Sequence, residues 1–179
     1  MNRPFGITFR LMAASAGLLI ASALGTNAAQ PQLQTLLGGK WPKFARGSAA
    51  DVTVVGNYAY LALSGSEYGG LAVIDISDPT NCVDVGGYNT SGWAYSVAVA
   101  GNYAYVADDA AGLQVIDVRD PAHCKRVGGY NTSGLARGVA VAGNYAYVAD
   151  HDAGLQVIDV SNPTNCVRAG GYHTRVLEL

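Results

Sequence analysis

Charge is scarce in this chain. Lysine and arginine number 11 and aspartate and glutamate 13 among 179 residues, so 13% of positions are charged and the net charge is -2. A nucleic-acid partner requires clustered basic residues as its electrostatic footprint, and no such cluster is present. The same scarcity argues against a helical array, while an apolar fraction of 50% argues against disorder. Helical periodicity is also absent once the N-terminal segment is set aside. Cysteine is sparse and odd in number, three in all, so at least one lacks a partner within the chain. Cys82, Cys124 and Cys166 recur at equal spacing, and equivalent positions in neighbouring repeats lie too far apart for the ~4.4 to 6.8 Å that a disulfide requires between Cα atoms. All three are expected as free, partly buried thiols at the start of a strand. His123, His151 and His173 sit in separate units without Cys or Glu at ligand spacing, which leaves no zinc cluster. Neither a G-x-S-x-G elbow, nor a phosphate-binding glycine loop, nor a nucleophile with an evident base occurs.

What the chain does have is repetition. The stretch Gly101 to Tyr130, GNYAYVADDAAGLQVIDVRDPAHCKRVGGY, has close copies starting at Gly56 and Gly143. Asp75, Asp117 and Asp159 are spaced 42 and 42, a period typical of solenoids and propellers. Twenty-three glycines and eleven tyrosines, with many valines, suit short strands punctuated by tight turns. In the middle copy the expected strands are Ala94 to Ala100, YAYVAD from Tyr103, Leu113 to Val118, and CKRVGGY from Cys124. Gly101-Asn102 joins the first two as a hairpin, because that turn needs residues tolerant of positive φ. Asp120-Pro121 marks the turn into the fourth strand. In LQVIDV, Leu113, Val115 and Asp117 point one way and Gln114, Ile116 and Val118 the other, so both faces are largely apolar. A sheet greasy on both faces must be stacked between other sheets. The expected fold is therefore all-β: a partial β-propeller of three four-stranded antiparallel blades plus one orphan N-terminal strand. A parallel β-helix is the rival, but its rungs are shorter and lack hairpins.

Residues 1–28 carry Arg3 and Arg10, an apolar run from Leu11 to Leu24 and a small-residue segment, the layout of a secretory signal peptide. The run is short for a membrane helix, which needs ~20 residues, so no membrane span is expected after cleavage and the chain is expected to be exported. Its destination is the periplasm, the cell surface or the extracellular space. Residues 29–48 form a linker in which LQTLLGGKW aligns with the last strand of the unit. Blades are expected over 49–92, 93–134 and 135–179, the last with a C-terminal tail.

The sequences LAVID at 71 to 75, LQVID at 113 to 117 and 155 to 159, and the repeated GNYAY resemble the LVIVD-repeat family. That resemblance implies a secreted or surface β-propeller of bacterial or archaeal type. It is specific for the repeat and nearly silent on function. The proline the family places before the fourth strand is replaced here by Cys82, Cys124 and Cys166. Propellers have ~4 to 8 blades, so three leave apolar faces open at both ends. Either the chain is a fragment of a longer gene product, or it closes by self-association, for example as two three-blade arcs in a six-blade ring. Agreement with the repeat stops after Thr174, which favours truncation or a frameshift.

The aspartates Asp75, Asp117 and Asp159 are expected to be structural, accepting hydrogen bonds from backbone N–H groups of a turn. The loops between second and third strands, and those joining blades, diverge between copies and emerge on one side. Binding residues favour loops on a rigid scaffold, so the candidate rim comprises Tyr68, Trp93, Tyr95, Asp109, Arg137, His151 and Asp152. Asp108, Asp109, Asp150 and Asp152 could together hold calcium, although turn formation is the commoner role. The resulting expectation is an exported, non-catalytic module holding a protein or glycan partner on one rim. The alternatives are a fragment of a propeller hydrolase or oxidoreductase, or a calcium-stabilised structural repeat.

Overall fold

A computed structural model describes residues 47–65 and 69–174. The expected signal peptide, the orphan strand and Tyr68 lie outside the described residues. The rest forms three four-stranded antiparallel sheets, the blades of an arc that is not closed into a ring. Blade 1 holds β1 (Ser48–Val55), β2 (Tyr58–Ser64), β3 (Gly70–Asp75) and β4 (Val83–Asn89). Blade 2 holds β5 (Ser96–Ala100), β6 (Tyr103–Ala107), β7 (Leu113–Asp117) and β8 (Lys125–Tyr130). Blade 3 holds β9 (Gly138–Ala142), β10 (Tyr145–Ala149), β11 (Leu155–Asp159) and β12 (Val167–Tyr172). Strand order within each blade follows chain order, and the first strands β1, β5 and β9 adjoin one another along the inside of the arc.

The local chemistry explains the hairpins. Gly56, Gly101 and Gly143 have φ of 59, 58 and 56°, which only a residue without Cβ adopts freely. They turn β1 into β2, β5 into β6 and β9 into β10. Each third-to-fourth strand pair slips register at the same place, between Val73 and Ile74, Val115 and Ile116, and Val157 and Ile158. Such bulges bend the outer strand and increase its twist. Among the described residues helix is almost absent, as the lack of periodicity predicts. The exceptions are single 3-10 turns at Pro121–His123 and His151–Ala153, each set by turn residues rather than by an apolar stripe.

Blade 2 presents one face to blade 1 and the other to blade 3. Between blades 1 and 2, Tyr60, Ala62, Leu71 and Val73 pack against Val97, Val106, Ile116 and Cys124. Between blades 2 and 3, Tyr105, Leu113 and Val115 pack against Ala146, Val148, Ile158 and Cys166. Leu71, Leu113, Ile116 and Ile158 are wholly buried, each contributing ~1.5 to 3 kcal/mol of transfer free energy. The expectation of three partly buried thiols needs one correction. Cys124 and Cys166 are buried and Cys82 is exposed, because the first two sit under a preceding blade's tyrosine and Cys82 does not. Burial pushes the Cys124 thiol up to about 11 and raises that of Cys166.

Candidate binding rim

Antiparallel order within each blade brings the second-to-third strand loops and the connectors between blades to one edge of the arc. There the β6–β7 loop and the β8–β9 connector are stitched together by mutual backbone hydrogen bonds between Asp109 and Ala136 of 3.1 and 3.0 Å. Asp109 holds φ at 52°, a left-handed conformation that a short polar side chain tolerates better than most. Its Oδ1 lies 3.1 Å from Nη2 of Arg137, the residue after Ala136. The Arg137 guanidinium in turn lies 4.0 Å from the centroid of the Tyr95 ring, and that ring sits 6.4 Å from Trp93. Four expected rim residues thus form one continuous row, Asp109, Arg137, Tyr95, Trp93, drawn from three separate loops. Trp93 closes the row with 46% of its surface in solvent.

His151 and Asp152 lie on the equivalent loop of blade 3, with Nδ1 of His151 3.0 Å from the Asp152 carboxylate and both side chains well exposed. His151 occupies the left-handed position that Asp109 fills in blade 2, at φ of 46°. Its Asp152 partner lies on its own loop, so this pair stands apart from the row of four, which is drawn from the β4–β5 and β8–β9 connectors and the β6–β7 loop.

Beneath the rim lies a device that sequence reading assigned otherwise. Asp108 and Asp150, weighed above as turn formers or calcium ligands, are fully buried. Asp108 accepts hydrogen bonds from Thr90 Oγ1 at 2.5 Å and Gly92 N at 3.1 Å. Asp150 accepts them from Thr132 Oγ1 at 2.5 Å and Gly134 N at 2.9 Å. Each aspartate therefore clamps the connector that enters its own blade. The glycine is dictated by the close approach, since a Cβ on Gly92 would lie 2.1 Å from Asp108 O and one on Gly134 2.2 Å from Asp150 O. Burial pushes the Asp108 carboxyl up to about 6, against the lowering effect of its two hydrogen-bond donors. With these oxygens engaged by threonine and glycine, the four aspartates do not converge as a calcium site. Among the described residues no group of three His, Cys, Asp or Glu side chains is placed to hold a metal.

A second polar pair recurs beside the clamp. Gln114 donates to Ala111 O at 2.6 Å and accepts from Arg126 Nε at 2.5 Å, and Gln156 and Arg168 repeat the arrangement. An open crevice of about 470 Å³ lies between blades 1 and 2, lined by Tyr88, Asn89, Thr90, Ala111, Gln114 and Arg126 among others. On the fourth side of the blade, Asp75, Asp117 and Asp159 accept from the backbone N–H two residues on, at 2.8, 3.0 and 2.9 Å. All three carboxyls are held below the usual range, Asp75 chiefly by the Ser77 N–H, Asp117 chiefly by the Arg119 side chain that pairs with it, and Asp159 chiefly by the Ser161 side chain, with the backbone bonds adding to the last two. They stand one per blade and do not approach one another. Among the described residues, no helix is long and apolar enough to cross a membrane.

Three repeats of one sheet, each with the same bulge and the same turn aspartate, are matched by a family model. The LVIVD repeat is found three times in succession, over residues 46–90, 91–132 and 133–174. The chain belongs to the LVIVD-repeat family. Comparison with curated proteins finds no match. The matched stretches take in all twelve described strands and the wholly buried Leu71, Leu113, Ile116 and Ile158. The Trp93 to Asp109 row falls in the loops, where the three copies differ.

Proposed function

We propose that this LVIVD-repeat chain is an exported, non-catalytic module that holds a protein or glycan partner against its rim. The observation that carries the reading is the row of Trp93, Tyr95, Arg137 and Asp109. An exposed indole beside a tyrosine ring stacked with a guanidinium offers flat apolar area with fixed polar edges, and tryptophan, tyrosine and arginine are the side chains enriched at binding hot spots. The cation lies within the ~6 Å of the ring centroid at which such contacts become favourable. The clamps below fasten the connectors that carry the row, so its geometry is preset before a partner arrives.

The test is titration with purified surface polysaccharides and surface proteins, read by the emission of Trp93 in a Trp41→Phe background, Trp41 being the other tryptophan of the chain. A bound partner shifts that emission. R137A, read by the same emission, and W93A, read by isothermal titration calorimetry because it removes the fluorophore, are each expected to weaken binding by at least ~10-fold, the effect of a lost hot-spot side chain. A partner whose affinity ignores both substitutions overturns the rim assignment, and a hydrolysed or oxidised product appearing on incubation overturns the non-catalytic one.

A further inference from the structure

The two ends of the arc carry the same surfaces as its interior, left uncovered. Tyr60, Ala62 and Leu71 of blade 1, and Tyr105, Ala107 and Leu113 of blade 2, are all buried beneath the blade that follows. Their counterparts in blade 3, Tyr147, Ala149 and Leu155, are exposed, Tyr147 and Leu155 at 37% each. At the other end, Val97 is 2% exposed against the preceding blade, whereas its counterpart Val52 is 53% exposed. Soluble proteins rarely leave apolar sheet faces open in this way.

Glycine supplies an independent sign. A Cβ on Gly86 would lie 2.1 Å from Pro121 O, and one on Gly128 would lie 2.0 Å from Pro163 O. Glycine is needed at both because the turn of the following blade presses on the strand. At Gly170, the third of the set, a Cβ would meet nothing within 4 Å. The turn that would press there is the one containing Pro79, which is exposed in blade 1 while Pro121 and Pro163 are half-buried. The clamp tells the same story from the sequence. Leu63 stands where blades 2 and 3 have Asp108 and Asp150. A joint between these two ends would bury no carboxylate deprived of its donors.

We propose that the uncovered face of blade 3 docks on the uncovered face of blade 1 in a second copy, so that two three-bladed arcs close a six-bladed ring. The joint repeats the two joints already inside the arc, and each copy contributes a different face, so the contact is heterologous and closes only at the right number of subunits. Two copies give a blade number inside the ~4 to 8 that propellers use, and three copies do not.

Light scattering on the purified mature chain is expected to give twice the mass of one copy. Gly170→Ala disturbs nothing within the arc and is expected to halve that mass while leaving the circular dichroism spectrum unchanged. Val54→Arg, on the opposite face, is expected to do the same, and mixing the two variants is expected to restore a dimer, because each supplies one intact face. Thiol labelling reads the same event without reference to mass. Cys82 is exposed on a single arc and becomes covered in the joint as Cys124 is beneath Tyr60. The ring is expected to show no rapidly reacting thiol, the folded single arc one, and an unfolded chain all three. A single-copy mass for the unsubstituted chain overturns the proposal, as does a V54R dimer, which would mean like faces meeting, or growth beyond two copies. Rapid labelling of Cys82 in the dimer also overturns it.

Discussion

Blade 1 differs from blades 2 and 3 in how it treats the place where a connector enters. In the later blades that place holds a buried carboxylate, Asp108 or Asp150, bound to a threonine and a glycine N–H. In blade 1 it holds Leu63, buried with Ala72 in a small apolar cluster with Leu61 and Ile74 at its edge. Ala72 likewise replaces the Gln114 and Gln156 of the other blades, and its loop is three residues longer. The difference teaches what the polar groups are for. A clamp is worth burying only where the chain supplies both halves, because a buried carboxylate without donors costs more than an apolar side chain of similar size. In the sequence, residues 42–47 before blade 1 lack the Thr-Ser-Gly of the later connectors, so an aspartate in place of Leu63 would have no such donors.

The comparison breaks first at the glycine. Gly134→Ala would drive a Cβ to 2.2 Å from Asp150 O, so the connector must move and take Thr132 with it. The expected loss is ~3 kcal/mol or more, the range of overpacking combined with a broken buried network, measured by urea unfolding. Asp150→Ala comes next. It leaves the Thr132 hydroxyl and the Gly134 N–H without their acceptor and should cost ~2 to 3 kcal/mol. Leu63→Ala in blade 1 removes no hydrogen bond. Its cost of ~2 to 3 kcal/mol would come instead from the cavity, so it is expected to show no dependence on pH between 4 and 7, where the Asp108 clamp does.

Much of this was legible in the residues alone. The 42-residue period, the Gly-Asn hairpins and the two-faced apolarity of LQVIDV led to stacked four-stranded sheets, because each of those signals is local. The clamp was not legible. Its two halves lie 18 residues apart on different blades, and an Asp in a turn-rich DD or DH context has a sufficient local explanation. The bulges were hidden for the same reason, since a register shift belongs to two strands at once. The row from Asp109 to Trp93 was visible as a set of divergent loop residues, but its continuity depended on the Asp109 and Ala136 pairing. Identical repeats hide nothing about a blade and very little about a loop. They are silent on what happens where the series stops, which is why Cys82 departed from the other two cysteines.

The smallest expected effect is the pH dependence, and its sign follows from burial. The Asp108 carboxyl is raised to about 6 in the folded chain, whereas an unfolded aspartate titrates near ~3.9. Between those values the native state binds the proton more tightly, so stability falls as pH rises through that window and levels off above it. Asp84, also raised by burial, adds a slope of the same sign. Asp51 acts the other way: burial would raise its carboxyl, yet donors from Ser96, Val97 and Val52 outweigh that and hold it low. Its contribution is present above the unfolded value and disappears only as pH drops through the lowered one, below the Asp108 window. The melting temperature is therefore expected to decline between pH 4 and 6.5, and Asp108→Asn is expected to reduce that decline without removing it. Asparagine keeps an acceptor for Gly92 N and cannot ionise, so a D108N slope equal to that of the unsubstituted chain would show that the carboxylate stays charged throughout and that its two donors outweigh its burial.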